Sequence, residues 1–187
     1  GMADVERKIP VTGETLFEPG SISKSVHALG VMKLVETKKL DLFQDVNRYL
    51  KSWQFPYSEK AKGRKITLAH LLSHSAGLNN SGFGFTAFKD GDSLPSIPQI
   101  LEGKSPATNE PLKSLFEPGK KFQYSGGGTM LSQLVLMDQT QSGYANWMKS
   151  HVLDALGMKS SFFSQPPPLD KRKFLATGYT QMKKGGV

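Results

Sequence analysis

Two segments predict strongly apolar helices, the first of them apolar on nearly every side, and they constrain the fold more than any other feature of the sequence. The first covers residues 26–35 and is interrupted only by His27, Gly30 and Lys33, and the second covers residues 128–141. A helix that is apolar all round usually lies at the centre of a fold, covered by other elements. We therefore expect a mainly α-helical protein in which both helices are buried.

The remaining helices are predicted from shorter patterns and from their capping residues. The predicted helices cover residues 21–38, 68–74, 96–101, 128–141 and 144–156. Thr67 and Ser96 are residue types favoured at helix starts, and Gly143 stands where the fourth of these helices should end. Residues 78–95 predict a long irregular loop, and the tail 174–187 is weakly strand-like. The pattern as a whole predicts a helical domain with few strands.

The composition excludes several classes of protein. A length of 187 residues suits one domain with a real core, so we expect a single domain over residues 1–187. The net charge of +8 comes almost entirely from scattered lysines. Because no predicted helix collects them on one face, we expect no nucleic-acid partner, although proximity to an acidic membrane surface stays open. The absence of cysteine excludes disulfides, thiolate catalysis and cysteine zinc sites.

Ser21 and Lys24 form a Ser-x-x-Lys sequence that occurs once in the chain. Residues three apart share one face of a helix, so the hydroxyl and the amine can meet. A serine in the first turn also lies at the positive end of the helix dipole, which favours its alkoxide. The spacing fits a catalytic nucleophile beside its base, but it fits a helix cap beside a surface lysine as well. Both interpretations stay open on the spacing alone.

Two histidines and two tyrosines are further candidates. His70 and His74 are four residues apart on a predicted helix, a spacing that zinc ligands can have. However, Leu71 stands where the His-Glu-x-x-His pattern requires glutamate, and no third ligand is evident. We therefore expect structural roles for both histidines, and no metal or other cofactor. Tyr124 precedes a glycine-rich turn into a helix, where its phenol can point into a cleft or simply be half-buried. Tyr144 begins an amphipathic helix, which predicts a packing role.

Five stretches, taken in order, resemble one known family. They are residues 15–25 around the Ser-x-x-Lys, 34–50, Ile66-Thr67-Leu68-Ala69-His70-Leu71-Leu72-Ser73-His74-Ser75-Ala76-Gly77-Leu78, 116–126 around Tyr124, and 156–162. Jointly they resemble the serine β-lactamases of class C and the related esterases, penicillin-binding proteins and D-alanyl-D-alanine carboxypeptidases. The resemblance implies the helical subdomain of the α+β fold of that family.

The resemblance also implies a role for each matching residue. Ser21 would be the acylated nucleophile, Lys24 its partner, and Tyr124 the proton shuttle to and from the leaving group. The backbone amide of Ser21 would be one donor of the oxyanion hole, and Gly126, which ends the Tyr124-Ser125-Gly126 motif, would contact substrate. The implied substrate is a β-lactam, a D-Ala-D-Ala peptide or a small ester, and the implied partners are small or peptidoglycan-like molecules.

One departure from the family pattern affects the expected activity. The late Lys or His, followed by Ser or Thr and then Gly, has no counterpart in residues 178–187, and the first two strands of the family would lie before Asp4. We therefore expect most of the sheet to be missing at both ends of the domain, together with the second oxyanion donor. Losing one such donor costs about 2.7–4 kcal/mol of transition-state stabilisation.

Two alternatives to an active hydrolase follow from that departure. One is a catalytically weak or silent relative that binds acyl ligands without turnover. The other is a helical domain whose exposed apolar faces are covered by a partner or by self-association. Residues 1–6 have neither the basic start nor the apolar core of a signal peptide, whereas the family resemblance implies a periplasmic or extracellular location.

Overall fold

The computed structural model describes residues 1–81 and 91–179 of the chain. Five α-helices and one two-stranded sheet form the main regular structure of these residues: β1 (Met2–Asp4), β2 (Ile9–Pro10), α1 (Ser23–Glu36), α2 (Leu68–Leu72), α3 (Ile97–Glu102), α4 (Gly126–Thr140) and α5 (Tyr144–Met148). Short 3₁₀ turns and one π-helical turn complete them, at Gly20–Ile22, Val46–Arg48, Glu59–Ala61, Lys149–Leu153 and Arg172–Phe174.

Helix α4 lies at the centre of the core. It packs against α1, α2, α3 and α5. Its central residues Leu131, Val135 and Leu136 are completely buried, as the apolar pattern of residues 128–141 predicts. Every other helix is therefore positioned by its contact with α4.

Helix α1 is buried on one face, which consists of His27, Gly30, Val31 and Leu34. The expectation that it is buried on all sides is wrong for the described residues. Along the opposite side the exposed fractions are 71% for Ile22, 49% for Leu29 and 43% for Met32. The apolar pattern identifies side chains whose burial would be favourable, but it does not ensure that another element buries them. No described element covers this side of α1.

A glycine sets the distance between α1 and the C-terminal end of α5. A Cβ atom on Gly30 would lie 2.6 Å from the sulfur of Met148 and 3.2 Å from the ring of Trp147. Both side chains are buried. The backbone of α1 therefore approaches this part of the core more closely than a larger residue would permit.

The N-terminal segment forms strands that the sequence did not predict. β1 pairs antiparallel with β2, and Leu16 forms a parallel bridge with Leu175. The turn between β1 and β2 is held by Asp4, whose carboxylate accepts hydrogen bonds from the backbone and side chain of Arg7, both at 2.8 Å. Strands of three and two residues are too short to show a period-2 pattern, so a side-chain contact rather than periodicity fixes this hairpin.

The helix bounds differ from prediction in ways that affect the site. α1 begins at Ser23, because Gly20–Ile22 form a 3₁₀ turn ahead of it. The C-cap of α4 is Gln141, with a φ of 52°, and not Gly143, which is the N-cap of α5. The predicted caps Thr67 and Ser96 are confirmed, since each side chain accepts a hydrogen bond from a first-turn amide.

Two further predictions fall partly outside the described residues. Part of the loop predicted over residues 78–95 and the end of the tail predicted over 174–187 lie there. In the part of the chain that is described, no helix combines the length and the apolar composition needed to cross a bilayer.

Candidate active site

Ser21 stands on the 3₁₀ turn that leads into α1. Gly20, directly before it, has a φ of 53°, a left-handed conformation that glycine adopts without a steric penalty. The turn then continues without a break into the 14-residue helix α1. Ser21 is thus exposed at the N-terminal end of a long helix, where the helix dipole favours negative charge.

Lys24 reaches Ser21 across one turn, as the three-residue spacing predicts. Its Nζ donates a hydrogen bond to Ser21 Oγ at 3.1 Å. Lysine nitrogen in its charged form has three protons and no lone pair, so it can only donate. The lone pairs of the serine oxygen are therefore partly occupied, while its own proton remains available for another acceptor.

Tyr124, from a distant part of the chain, lies within hydrogen-bond distance of Ser21. Its phenol oxygen lies 2.8 Å from Ser21 Oγ, and Lys24 Nζ lies 5.1 Å from the centre of its ring. The Lys24 cation beside the phenol, followed by the hydrogen bond with Ser21, lowers the pKa of Tyr124 below its ordinary value. A phenol with a lowered pKa loses its proton more readily and can take one from the serine.

The start of α4 fixes the segment that carries Tyr124. Ser125 is the N-cap: its hydroxyl accepts a hydrogen bond from the amide of Gly128 at 2.9 Å and donates one to the carbonyl of Asn79 at 2.7 Å. Gly126 is buried, and its amide donates to the side chain of Asn80 at 3.1 Å. The predicted substrate-binding residue Gly126 thus lies two residues from Tyr124, at the first position of α4.

Tyr144 is held away from this cluster in the protein interior. Its hydroxyl lies 3.0 Å from Nδ1 of the buried His27, and its ring packs against Phe163. Burial raises the pKa of Tyr144. The packing role expected from its position on an amphipathic helix is the one observed.

His70 and His74 do not form a pair. His70 belongs to the cap of α2, where its Nδ1 accepts a hydrogen bond from the backbone of Thr67 at 3.3 Å. His74 instead contacts Tyr124, with ring centres 4.4 Å apart. No group of three or more potential metal-binding side chains occurs within residues 1–81 and 91–179.

The contact between His74 and Tyr124 is the feature of the site that sequence reasoning missed. His74 lies in the stretch Ile66–Leu78 that resembles the family, but the sequence predicts only a structural role for it. The two residues are fifty positions apart, and His74 turns toward Tyr124 through a left-handed backbone conformation, with a φ of 54°. Neither feature leaves a periodic or capping signal in the sequence.

Known proteins are similar to this chain in sequence. The Beta-lactamase family matches residues 1–186. Penicillin-binding protein 4* of Bacillus subtilis is 30% identical over 86% of this chain and 33% of its own length. Esterase EstB of Burkholderia gladioli is 29% identical over 90% of this chain and 43% of its own length.

The fold also matches solved structures. The octameric penicillin-binding protein homologue from Pyrococcus abyssi superposes with a TM-score of 0.76 and 30% identity, over 100% of this chain and 41% of that one. The chain spans about a third of the length of the first curated relatives that it matches. It is related to serine hydrolases, and the match over residues 1–186 shows that the chain belongs to the Beta-lactamase family.

Proposed function

We propose that this chain carries the acyl-transfer site of a serine hydrolase, in which Ser21 forms an ester with the substrate. The observation that carries the proposal is the contact of one exposed hydroxyl, Ser21 Oγ, with both Lys24 Nζ at 3.1 Å and the Tyr124 phenol at 2.8 Å. A nucleophile within hydrogen-bond reach of a basic group, itself held by a third group, is the arrangement that activated serines need.

Acylation would use Tyr124 as the proton carrier. The phenolate form of Tyr124 takes the proton of Ser21 while Oγ bonds to the carbonyl carbon, and the carbonyl oxygen becomes an oxyanion. The phenol then gives that proton to the leaving amine or alkoxide as its bond to carbon breaks, which restores the phenolate and leaves the ester. Water repeats the two steps to release Ser21.

Lys24 contributes through its charge and its hydrogen bond. It holds Ser21 Oγ in place and lies against the face of the Tyr124 ring, where a cation favours the phenolate. The backbone amide of Ser21, at the N-terminal end of α1, is suited to stabilise the oxyanion. A second donor to the same oxyanion would raise turnover by about 10²–10³-fold.

The substrate class is a proposal that rests on chemistry and on the relatives. Both a penicillin-binding protein and an esterase are among them. A site that relies on one serine and one proton carrier suits activated acyl groups better than unstrained amides: esters are activated by their leaving group and β-lactams by ring strain. We therefore place small esters and β-lactams ahead of D-Ala-D-Ala peptides.

The experiment compares three substrates on the same protein. Hydrolysis of p-nitrophenyl acetate, of a chromogenic cephalosporin and of a D-Ala-D-Ala peptide is measured for the native chain, for Ser21→Ala and for the matched control Ser25→Ala. Ser25 is an exposed serine of α1, one turn further on. We expect activity that Ser21→Ala abolishes and Ser25→Ala leaves unchanged. Equal activity in all three proteins would refute the proposal.

We also propose that the chain is the helical part of the family's fold and a single domain. The exposed apolar side of α1 supports a second role, in which that side is covered by another molecule or by a second copy of this chain. Ile22, Leu29 and Met32 lie along this side, with 71%, 49% and 43% of their surface exposed. Light scattering tests self-association, because a monomer at all concentrations would contradict it.

A further inference from the structure

His74 contacts four consecutive residues, Phe122, Gln123, Tyr124 and Ser125, in the segment that ends in the α4 cap. Its carbonyl accepts a hydrogen bond from the amide of Gln123 at 2.7 Å, and its Nδ1 accepts one from the amide of Ser125 at 3.3 Å. Its ring lies between two aromatic side chains. The Tyr124 ring is 4.4 Å away at an angle of 33°, and the Phe122 ring is 5.9 Å away at 78°. Tyr124 is therefore held through its ring and through both neighbouring amides.

The hydrogen bond to Ser125 sets the protonation state that this arrangement needs. Nδ1 can accept from the amide only when it carries no proton, so the imidazole is neutral with its proton on Nε2. In the imidazolium, both nitrogens are donors, and Nδ1–H would face the N–H of Ser125. Protonation of His74 thus removes one attachment of the Tyr124 segment and sets two donors against each other.

The surroundings of His74 favour the neutral form. Burial, followed by the nearby Lys24 cation of α1, lowers the pKa of His74 below its ordinary value. The other titratable groups around it are Tyr124, on the segment before α4, and His70, one turn earlier on α2. The pKa of His70 is lowered as well, by burial and by Arg64.

The backbone fixes His74 relative to α2. The residue after it, Ser75, donates its amide to the carbonyl of His70 at 2.9 Å and accepts from the amide of Gly119 at 2.8 Å. The φ of His74 is 54°, a region in which histidine, asparagine and aspartate are found more often than other non-glycine residues. Because these hydrogen bonds fix the backbone of His74, its ring can hold the ring of Tyr124 in one position.

We propose that His74 is a positioning residue, whose neutral imidazole holds the Tyr124 phenol against Ser21 and releases it when the imidazole is protonated. This inference rests on the proposed acyl-transfer function, which it extends to a residue on α2's C-terminal turn. His74 does not touch the serine hydroxyl and carries no proton of the reaction. Its protonation lowers acylation at acid pH, in addition to the fall that follows from protonation of the Tyr124 phenolate.

Three variants test the proposal. In His74→Asn, asparagine can adopt the left-handed backbone conformation, and its side-chain oxygen can accept a hydrogen bond close to the position of Nδ1. The asparagine side chain does not titrate. His74→Ala removes the acceptor and the ring, and His151→Asn is the control at an exposed histidine. The rate of acylation by an activated ester is measured from pH 5 to pH 8, with circular dichroism at each pH to show that the protein is folded.

The expected result is a separation of the variants by pH profile. His74→Ala loses about 10²-fold in acylation at pH 7.5, the scale expected for a misplaced catalytic group. His74→Asn recovers at least about tenfold of that loss, and its rate falls less steeply toward acid pH than the rate of the native protein. His151→Asn behaves as the native protein does. An unchanged acid limb in His74→Asn, or a native rate in His74→Ala, overturns the proposal.

A second measurement separates this inference from the proposed function. In isotope-labelled protein, nuclear magnetic resonance follows the His74 ring, the Ser125 amide and the Tyr124 ring as the pH falls. We expect all three to change together at the pKa of His74. If Ser21 proves unreactive, the proposed function fails while this result still stands. If the Tyr124 signals do not change when His74 is protonated, the positioning role is overturned, whether or not the protein is an active hydrolase.

Discussion

Lowering the pH should reduce the free energy of unfolding of the protein through one buried histidine, His27. Only 3% of its surface is exposed, and both ring nitrogens are occupied by hydroxyl groups: Tyr144 at 3.0 Å and Ser132 at 2.7 Å. Ser132 gives its own proton to the carbonyl of Thr129 at 2.8 Å, so it accepts from Nε2–H. His27 is therefore buried as the neutral imidazole, with Tyr144 donating to Nδ1.

The size of the effect follows from the difference between the folded and the unfolded state. Burial lowers the pKa of His27 from 6.5 to about 4. Between these values the unfolded chain binds the proton and the folded protein does not, so stability falls as the pH falls. The loss begins near pH 6.5 and is complete below about pH 4. Between pH 7.5 and pH 5 it amounts to about 2 kcal/mol, and at most to about 3 kcal/mol at lower pH.

Urea unfolding at pH 7.5 and at pH 5 measures this loss. The variant His27→Gln replaces the ring by an amide that can donate and accept but does not titrate, so the drop between the two pH values should shrink by about 2 kcal/mol. His151→Gln, at an exposed histidine, should keep the full drop. Should the His27 variant fail to fold, the titration of the native ring by nuclear magnetic resonance replaces it. A His27 pKa near 6.5, or an equal drop in both variants, would refute the reasoning.

Two variants of α1, one of them a double substitution, test its two faces. Gly30→Ala places a methyl group 2.6 Å from the sulfur of Met148. The overpacking should outweigh the gain in helix propensity, so the free energy of unfolding in urea should fall by about 1–2 kcal/mol. The control Ser25→Ala, at an exposed position of the same helix, should leave the free energy of unfolding unchanged. A stabilised Gly30→Ala would show that α1 has room to move. Leu29→Gln with Met32→Gln, at exposed positions, should lower self-association in light scattering without loss of stability, and an unchanged solution mass would show that this face is not the contact.

The local parts of the fold could be predicted from the sequence, because their signals are local. The apolar run of residues 128–141 predicted a buried helix, and Thr67 and Ser96 predicted helix starts. The spacing of Ser21 and Lys24 placed their side chains on one face, as observed at 3.1 Å. These features depend on helix geometry and capping within a few residues.

The parts that could not be predicted depend on contacts between distant residues. The sequence pattern around Tyr124 fits both a phenol that points into a cleft and an ordinary half-buried aromatic. Only the family resemblance associates Tyr124 with Ser21. The contact of His74 with Tyr124 depends on a left-handed turn that no motif marks. The exposed side of α1 shows a further limit: apolar residues predict that a face is to be covered, but not by which element.

Covalent labelling of Ser21 tests the central claim most directly. The native protein is incubated with a fluorescent penicillin and, separately, with a fluorophosphonate, and the modified peptide is identified by mass spectrometry. We predict one adduct, on Ser21, which forms more slowly in Tyr124→Phe and is absent in Ser21→Ala. An adduct on Ser23 or Ser25 with Ser21 unmodified, or labelling that persists in Ser21→Ala, would contradict the assignment of Ser21 as the nucleophile.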